Sequence, residues 1–196
     1  MKLSKLVKFI PGLNPSRLDE KIIDNTTFYD KESFDNDLLL NDGESLKLKN
    51  NEFSLSTGDL ILYSITNQVA IVGKSNEGKI PSLNFSKIEL FSDKLDKNYF
   101  FYMFNENEII QKQKERDRQG LHILKLPLRS LYNIEIPMIP IEEQRKIGMI
   151  YVECIKLKSR IEEYSNLLDQ ASMQLLSMKV RDEYDNWKNT KKRTRI

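Results

Sequence analysis

Residues 140–178 read Pro140-Ile-Glu-Glu-Gln-Arg-Lys-Ile147-Gly-Met-Ile150-Tyr-Val-Glu-Cys154-Ile-Lys-Leu157-Lys-Ser-Arg-Ile161-Glu-Glu-Tyr164-Ser-Asn-Leu-Leu168-Asp-Gln-Ala171-Ser-Met-Gln-Leu175-Leu-Ser-Met178, and this stretch decides the architecture. Ile147, Ile150, Cys154, Leu157, Ile161, Tyr164, Leu168, Ala171, Leu175 and Met178 recur at alternating steps of three and four. An apolar repeat of that period, sustained over several heptads, is the seam of a coiled coil. Pro140 suits a first helical turn, where its missing N–H removes nothing, and Glu142 and Glu143 sit where the helix dipole favours negative charge. Residues 141–183 hold no proline and one glycine, Gly148, so a helix of about 60 Å is expected at ~1.5 Å per residue. Such a helix is too long to be buried on the domain that precedes it.

Upstream, the pattern is that of a small mixed domain. Residues 1–10 alternate loosely and reach Pro11-Gly12, which predicts a short strand and a turn. Turn formers fill residues 14–52, so mostly loop with brief elements is expected there. Leu60-Ile-Leu-Tyr-Ser-Ile65 and Val69-Ala-Ile-Val-Gly73 flank three polar residues, which is a hairpin signal. Residues 84–91 read as a further strand, and 97–105 and 106–118 as helices that end at Gly120. Residues 121–126 and 131–136 have strand-like patterns, and Pro137 and Pro140 close the domain. The expected class is α+β, a mixed α/β globular domain over 1–140, then a coiled-coil helix over 141–187 and a basic tail over 188–196.

Composition narrows the chemistry. The 196 residues carry 39% apolar and 31% charged side chains, enough for a real core. No apolar run reaches membrane-spanning length and lysines interrupt the N-terminal segment, so a cytoplasmic protein with no membrane partner is expected. One cysteine, Cys154, forbids an internal disulfide, and one histidine, His122, removes most zinc sites and most histidine-based catalysis. No metal site is expected. The net charge of +2 says little about nucleic acid, because Lys188, Lys191, Lys192, Arg193 and Arg195 cluster at the end of the chain. The local balance is more telling: Lys112, Lys114, Arg116, Arg118, Lys125 and Arg129 outweigh Glu115 and Asp117, whereas residues 24–44 set seven acids against Lys31.

Several segments resemble type I restriction-modification specificity subunits. The run Leu131-Tyr-Asn-Ile-Glu-Ile-Pro-Met-Ile-Pro-Ile-Glu-Glu-Gln-Arg-Lys-Ile147 looks like the junction in that family between a target-recognition domain and its spacer helix. Gly58-Asp59-Leu60-Ile61-Leu62, Ala70-Ile71-Val72, Asn84 with Ile88, Tyr99-Phe100-Phe101-Tyr102 and the Gln119-Gly120-Leu121-His122 turn follow in the family's order. The departure is in number, since a typical member has two recognition domains and two spacer helices. The chain therefore resembles a half-size specificity subunit, or equally a truncated full-size one, with residues 1–140 as target-recognition domain. The resemblance implies double-stranded DNA and a DNA methyltransferase subunit as partners, with or without a motor-nuclease subunit. No cofactor is expected in this chain; S-adenosylmethionine would be bound by the methyltransferase.

No catalytic centre is legible. Asn14-Pro15-Ser16-Arg17 lacks the second proline and aromatic of an amino-methyltransferase motif, and neither a phosphate loop nor a metallohydrolase motif is present. DNA reading needs cations for phosphates and amide, guanidinium or hydroxyl groups for base edges. Arg116, Arg118 and Gln119 are suited to bases, and Lys112, Lys114 and Lys125 to phosphates. Ser64, Asn67 and Gln68 at the hairpin tip are further candidates, as are Asn14, Ser16, Arg17 and Tyr29, the last four on the family's use of early loops. A solvated helix face is the plain alternative for the basic segment. The heptad residues are expected to join two copies as an antiparallel homodimer, since only that direction places the two domains at opposite ends. Two further readings stay open: a regulator or mimic that binds proteins through its coiled coil, and a DNA-binding regulator that never meets a methyltransferase.

Overall fold

The computed structural model describes residues 1–14, 27–41, 43, 48, 53–121 and 126–193. Two compact units emerge, Met1–Lys156 and Leu157–Ile196. In chain order the elements are β1 (Val7–Pro11), β2 (Phe28–Tyr29), α1 (Lys31–Leu38), β3 (Leu60–Tyr63), β4 (Gln68–Ile71), β5 (Ile80–Pro81), β6 (Phe85–Leu90), α2 (Lys97–Glu106), α3 (Glu108–Leu121), α4 (Leu128–Asn133) and α5 (Ile141–Arg193). The mixed α/β class and the long C-terminal helix are thus as the sequence predicts.

The first unit is built on an antiparallel sheet in the order β1-β6-β3-β4. The predicted hairpin is present, with Leu60 opposite Ile71 and Tyr63 opposite Gln68. Because side chains alternate along a strand, the sheet feeds two cores. Leu60, Leu62, Val69 and Ile88 face Phe100, Phe101 and Phe104 of α2 and Ile110 of α3. Ile61, Tyr63 and Phe85 face Tyr29, Phe34 and Leu55 on the other side, where the Tyr63 and Phe85 rings stack at 4.9 Å. β2 and β5 pair in parallel beside this second core.

Two helix–strand assignments change. Residues 131–136 split: Leu131 lies in α4, while Ile134 and Ile136 are extended, Ile134 O accepting from Leu3 N and Ile136 N donating to Met1 O, each at 2.9 Å. The apolar spacing of 131, 134 and 136 serves a short helix and a strand-like segment equally, and contacts with the N-terminus decide it. α3 also runs through Gly120 to Leu121.

The start of α5 belongs to the first unit. Gln144 is buried; its Nε2 donates to Lys94 O and Ile139 O, each at 2.8 Å, and its Oε1 accepts from Asp96 N at 3.0 Å. The glutamine of the Pro-Ile-Glu-Glu-Gln run is therefore a clamp between α5 and the N-cap of α2. Ile147, Tyr151, Val152 and Ile155 pack on the main core. Gly148 permits this approach, for a Cβ there would lie 2.6 Å from Tyr99 N and 2.7 Å from Asn98 Cβ. In the second unit α5 continues through Lys188 to Arg193, into the stretch read as a basic tail.

Candidate nucleic-acid interface

α3 and the β3–β4 tip form the region where most predicted reading residues fall. Three side chains pin the inward side of α3. Gln111 Nε2 donates to Asn105 O at 2.7 Å, and Gln113 exchanges bonds of 2.8 and 2.9 Å with the backbone of Glu135. Lys114 Nζ donates to Asn67 O at 2.8 Å and to Phe104 O, and lies 3.7 Å from the Phe104 ring centroid. Lys112, Arg116 and Arg118 are exposed; Lys112 and Arg116, four residues apart, share the outward side, and Arg118 follows Lys114 by one turn. Their links to neighbouring acids, Lys112 to Glu108 at 3.3 Å and Arg116 to Asp117 at 3.4 Å, are solvent-facing. Exposed pairs of this kind are worth less than about 1 kcal/mol, so these cations can exchange partners for phosphate at little cost.

The hairpin tip is held from three sides. Ser64 N and Oγ both donate to Asn84 O, at 2.8 and 2.6 Å. Asn67 takes a left-handed conformation, φ +57°, which asparagine tolerates better than most residues, and its N–H closes the turn on Tyr63 O at 2.8 Å. β4 is an edge strand, and Asn105 bonds both the N–H and the C=O of Val69 at 2.8 Å. What the tip offers outward is Ile65, 49% exposed, with Thr66 and half-buried Gln68.

Four predicted contact residues are enclosed and need correcting. Lys114 is 3% exposed and Asn67 0%; both are turned inward by the bond between them. Ser64 is buried on Asn84. Tyr29 is fully buried, its hydroxyl donating to Asp37 Oδ2 at 2.7 Å. None of these side chains faces outward toward a duplex in this form. Asn14 is half-buried beyond β1. Gln119 lies in the last turn of α3. Ser16, Arg17 and Lys125, like His122, lie outside the described residues. Among the described residues no cluster of His, Cys, Asp and Glu could hold a metal ion, and no helix is long and apolar enough to cross a membrane.

The charge state of Lys114 follows from its enclosure. Burial, and then the Arg118 guanidinium, lower its pKa to about 7, with Glu106 opposing weakly. Its Nζ lies between the Asn67 and Phe104 carbonyls and the Phe104 ring face.

In the second unit, Ile161, Tyr164, Leu168, Leu175 and Met178 are exposed, as is Leu157, with Leu168 at 68%. Upstream, Ile150 and Cys154 are exposed, while Ile147 is half-buried on the core. A second apolar stripe, absent from the sequence reading, comprises Met173, Leu176, Val180, Tyr184 and Trp187. Its spacing of three and four residues was the available signal; the Tyr184 and Trp187 rings lie 5.8 Å apart.

These features define a class: an α+β domain with a basic helix and a pinned hairpin tip, followed by a long helix with exposed apolar stripes. Comparison with solved structures gives the particular fold, that of the HsdS specificity subunits of type I restriction-modification systems. The HsdS subunit from Thermoanaerobacter tengcongensis matches over 81% of this chain and 37% of its own, with TM-score 0.51 and 16% identity. A chain from a structure bearing on complex assembly and conformational transition of the type I restriction-modification system matches over 87% of this chain and 44% of its own, with TM-score 0.54 and 20% identity. This chain spans less than half the length of either. No protein-family model matches it. No curated protein matches it either.

Proposed function

We propose that this chain is a DNA-sequence-reading subunit of a type I restriction-modification system, without a catalytic centre of its own, and that it acts as a homodimer. The observation that carries the reading is the HsdS fold over more than four-fifths of the chain and less than half of its neighbours. Pairing two copies through an antiparallel α5 would bring two recognition domains into one assembly. In this arrangement the helices act as a ruler between two sites, each expected a whole number of B-DNA turns of about 34–36 Å apart. The two-fold axis makes the half-sites inverted copies. Lys112, Arg116, Arg118, Gln119, Gln68 and the tip residues Ile65 and Thr66 form the proposed reading surface. The heptad seam joins the copies, and the methyltransferase subunit, which brings S-adenosylmethionine, binds the assembled dimer. A motor-nuclease subunit completes the complex where one exists.

Selection from a pool of random duplexes tests the reading. The dimer, alone and with a type I methyltransferase subunit, is expected to enrich two short inverted elements separated by an unread gap. Binding of the methyltransferase subunit with no enriched sequence would instead point to a regulator or mimic that works through protein contacts.

A further inference from the structure

Lys114 is an unusual residue to find under a reading surface. It is the one side chain of α3 that reaches the β3–β4 tip in the hydrogen bonds seen among the described residues, through Asn67 O. Asn84 and Asn105 fix the two flanks of the tip, at Ser64 and Val69, and Lys114 reaches Asn67 between them. The carboxamide of Asn67 is enclosed, yet among the described residues neither its Oδ1 nor its Nδ2 meets a partner; the hydrogen bonds of Asn67 there are those of its backbone, to Tyr63 O and from Lys114. The same ammonium bonds Phe104 O at the C-terminal end of α2 and stands over the Phe104 ring. One group thereby joins the tip, α2 and α3. On either side of this tie lie the exposed Ile65 and Thr66 and the exposed Arg116 and Arg118.

We infer that Lys114 is a positioning residue for DNA reading: it touches no base or phosphate, but holds the hairpin tip in fixed register with the basic face of α3, so that both meet one stretch of duplex as a single surface. This rests on the proposed DNA-reading function, since without DNA the register would serve only the fold. A surface lysine could not do this, because a hydrated ammonium exchanges partners freely, whereas a desolvated one is held by the carbonyls that replace its water.

The tie also carries a pH signature. The charged groups that bear on Lys114 are Arg118 on its own helix and Glu106 on α2. With the tip closed its pKa is near 7; with the tip open and Lys114 in water it returns toward the ordinary lysine range. The open form therefore binds the extra proton between those values, and closure strengthens as pH rises above 7, by at most about tenfold per unit.

The test uses the full chain and the Lys114→Met and Lys114→Arg variants. Hydrogen-exchange protection is read at the Ser64 and Asn67 amides against Ile88 in the sheet, and discrimination is read between a selected duplex and its scrambled form. In the wild type, tip protection is expected to rise from pH 6.5 to pH 8.5 relative to Ile88. Lys114→Met is expected to lower tip protection about tenfold and flatten the pH trend, and to cost a similar factor in discrimination with the salt dependence of scrambled-duplex binding unchanged. Lys114→Arg, which keeps the donors but cannot lose its proton, is expected to restore part of the protection and of the discrimination without the pH trend. Unchanged tip protection in Lys114→Met overturns the tie. Lowered protection with full discrimination overturns the positioning role. Should Lys114→Met fail to fold, Lys114→Gln, too short to span Asn67 O and Phe104 O, takes its place, and unchanged tip protection in it overturns the tie. A wild type that discriminates among no duplexes refutes the DNA-reading function itself, while the exchange data still report separately on the tie.

Discussion

Replacing Ile161 and Leu168 together by Glu is expected to leave the chain monomeric at concentrations where the wild type sediments as a dimer, with self-association weakened at least about a thousandfold. In an antiparallel pair centred on the heptads, Leu157 meets Leu168, Ile161 meets Tyr164 and Cys154 meets Ala171 of the partner. Each double variant thus removes four apolar side chains from the seam and places four carboxylates in it. Burying a Leu or Ile contributes roughly 1.5–3 kcal/mol, so loss of these alone exceeds the ~4 kcal/mol that corresponds to a thousandfold change. The first unit should be unaffected, since Leu157 onward forms a separate unit. Direction is tested with the native thiol. Antiparallel pairing leaves the two Cys154 sulfurs about 25 Å apart, so mild oxidation is expected to give no cross-link in the wild type and a ready one in Ala171→Cys. Cross-linking through Cys154 alone would mean parallel helices and refute the ruler.

Asp37→Ala is expected to destabilise the first unit by about 3–5 kcal/mol, read as a lower urea midpoint with an unchanged slope. Asp37, 1% exposed, receives three bonds: Tyr29 Oη to Oδ2 at 2.7 Å, and Gly73 N at 2.9 Å and Asn76 Nδ2 at 2.8 Å to Oδ1. Removing the carboxylate strands three donors beneath α1, each costing ~1–3 kcal/mol when buried and unmet. Burial raises the pKa of Asp37, against the pull of those three donors and Lys79, and burial with the nearby Asp37 charge raises that of Tyr29. Because the folded chain holds the Asp37 proton more tightly than the unfolded chain, stability falls as pH rises out of the ordinary carboxylate range. That slope is expected to vanish in Asp37→Ala.

These two predictions also mark what the sequence makes legible. The seam could be read because a heptad repeat is a local property, and the β3–β4 hairpin because β-rich runs flanked a short polar turn. Asp37 could not: its partners lie 8, 36 and 39 residues away, and nothing local separates it from the other acids of residues 24–44. The tip misled for the same reason. Ser64-Ile-Thr-Asn-Gln68 reads as an adaptable polar loop, yet Asn84 and Lys114 draw Ser64 and Asn67 inward and leave Ile65 outside. Lys114 had a local clue, since it follows Ile110 by four residues and so shares the buried face of α3. A run of alternating Lys and Arg hid that phase. In the sequence Gln144 is legible only as part of a family-like junction; its role as a clamp depends on the backbone of Lys94 and Asp96, about 50 residues away in the chain.

The reading of Arg116, Arg118 and Gln119 as base contacts is the centre of the account, and one measurement addresses it directly. The chain is co-expressed with a type I methyltransferase subunit from the same genome, and methylated positions on host DNA are mapped by single-molecule sequencing. One bipartite, inverted-repeat methylated motif is expected, and it disappears when Arg116, Arg118 and Gln119 are replaced by Ala, while the protein complex still assembles. A stable complex with no new methylated motif, or a motif indifferent to those three substitutions, would contradict that reading.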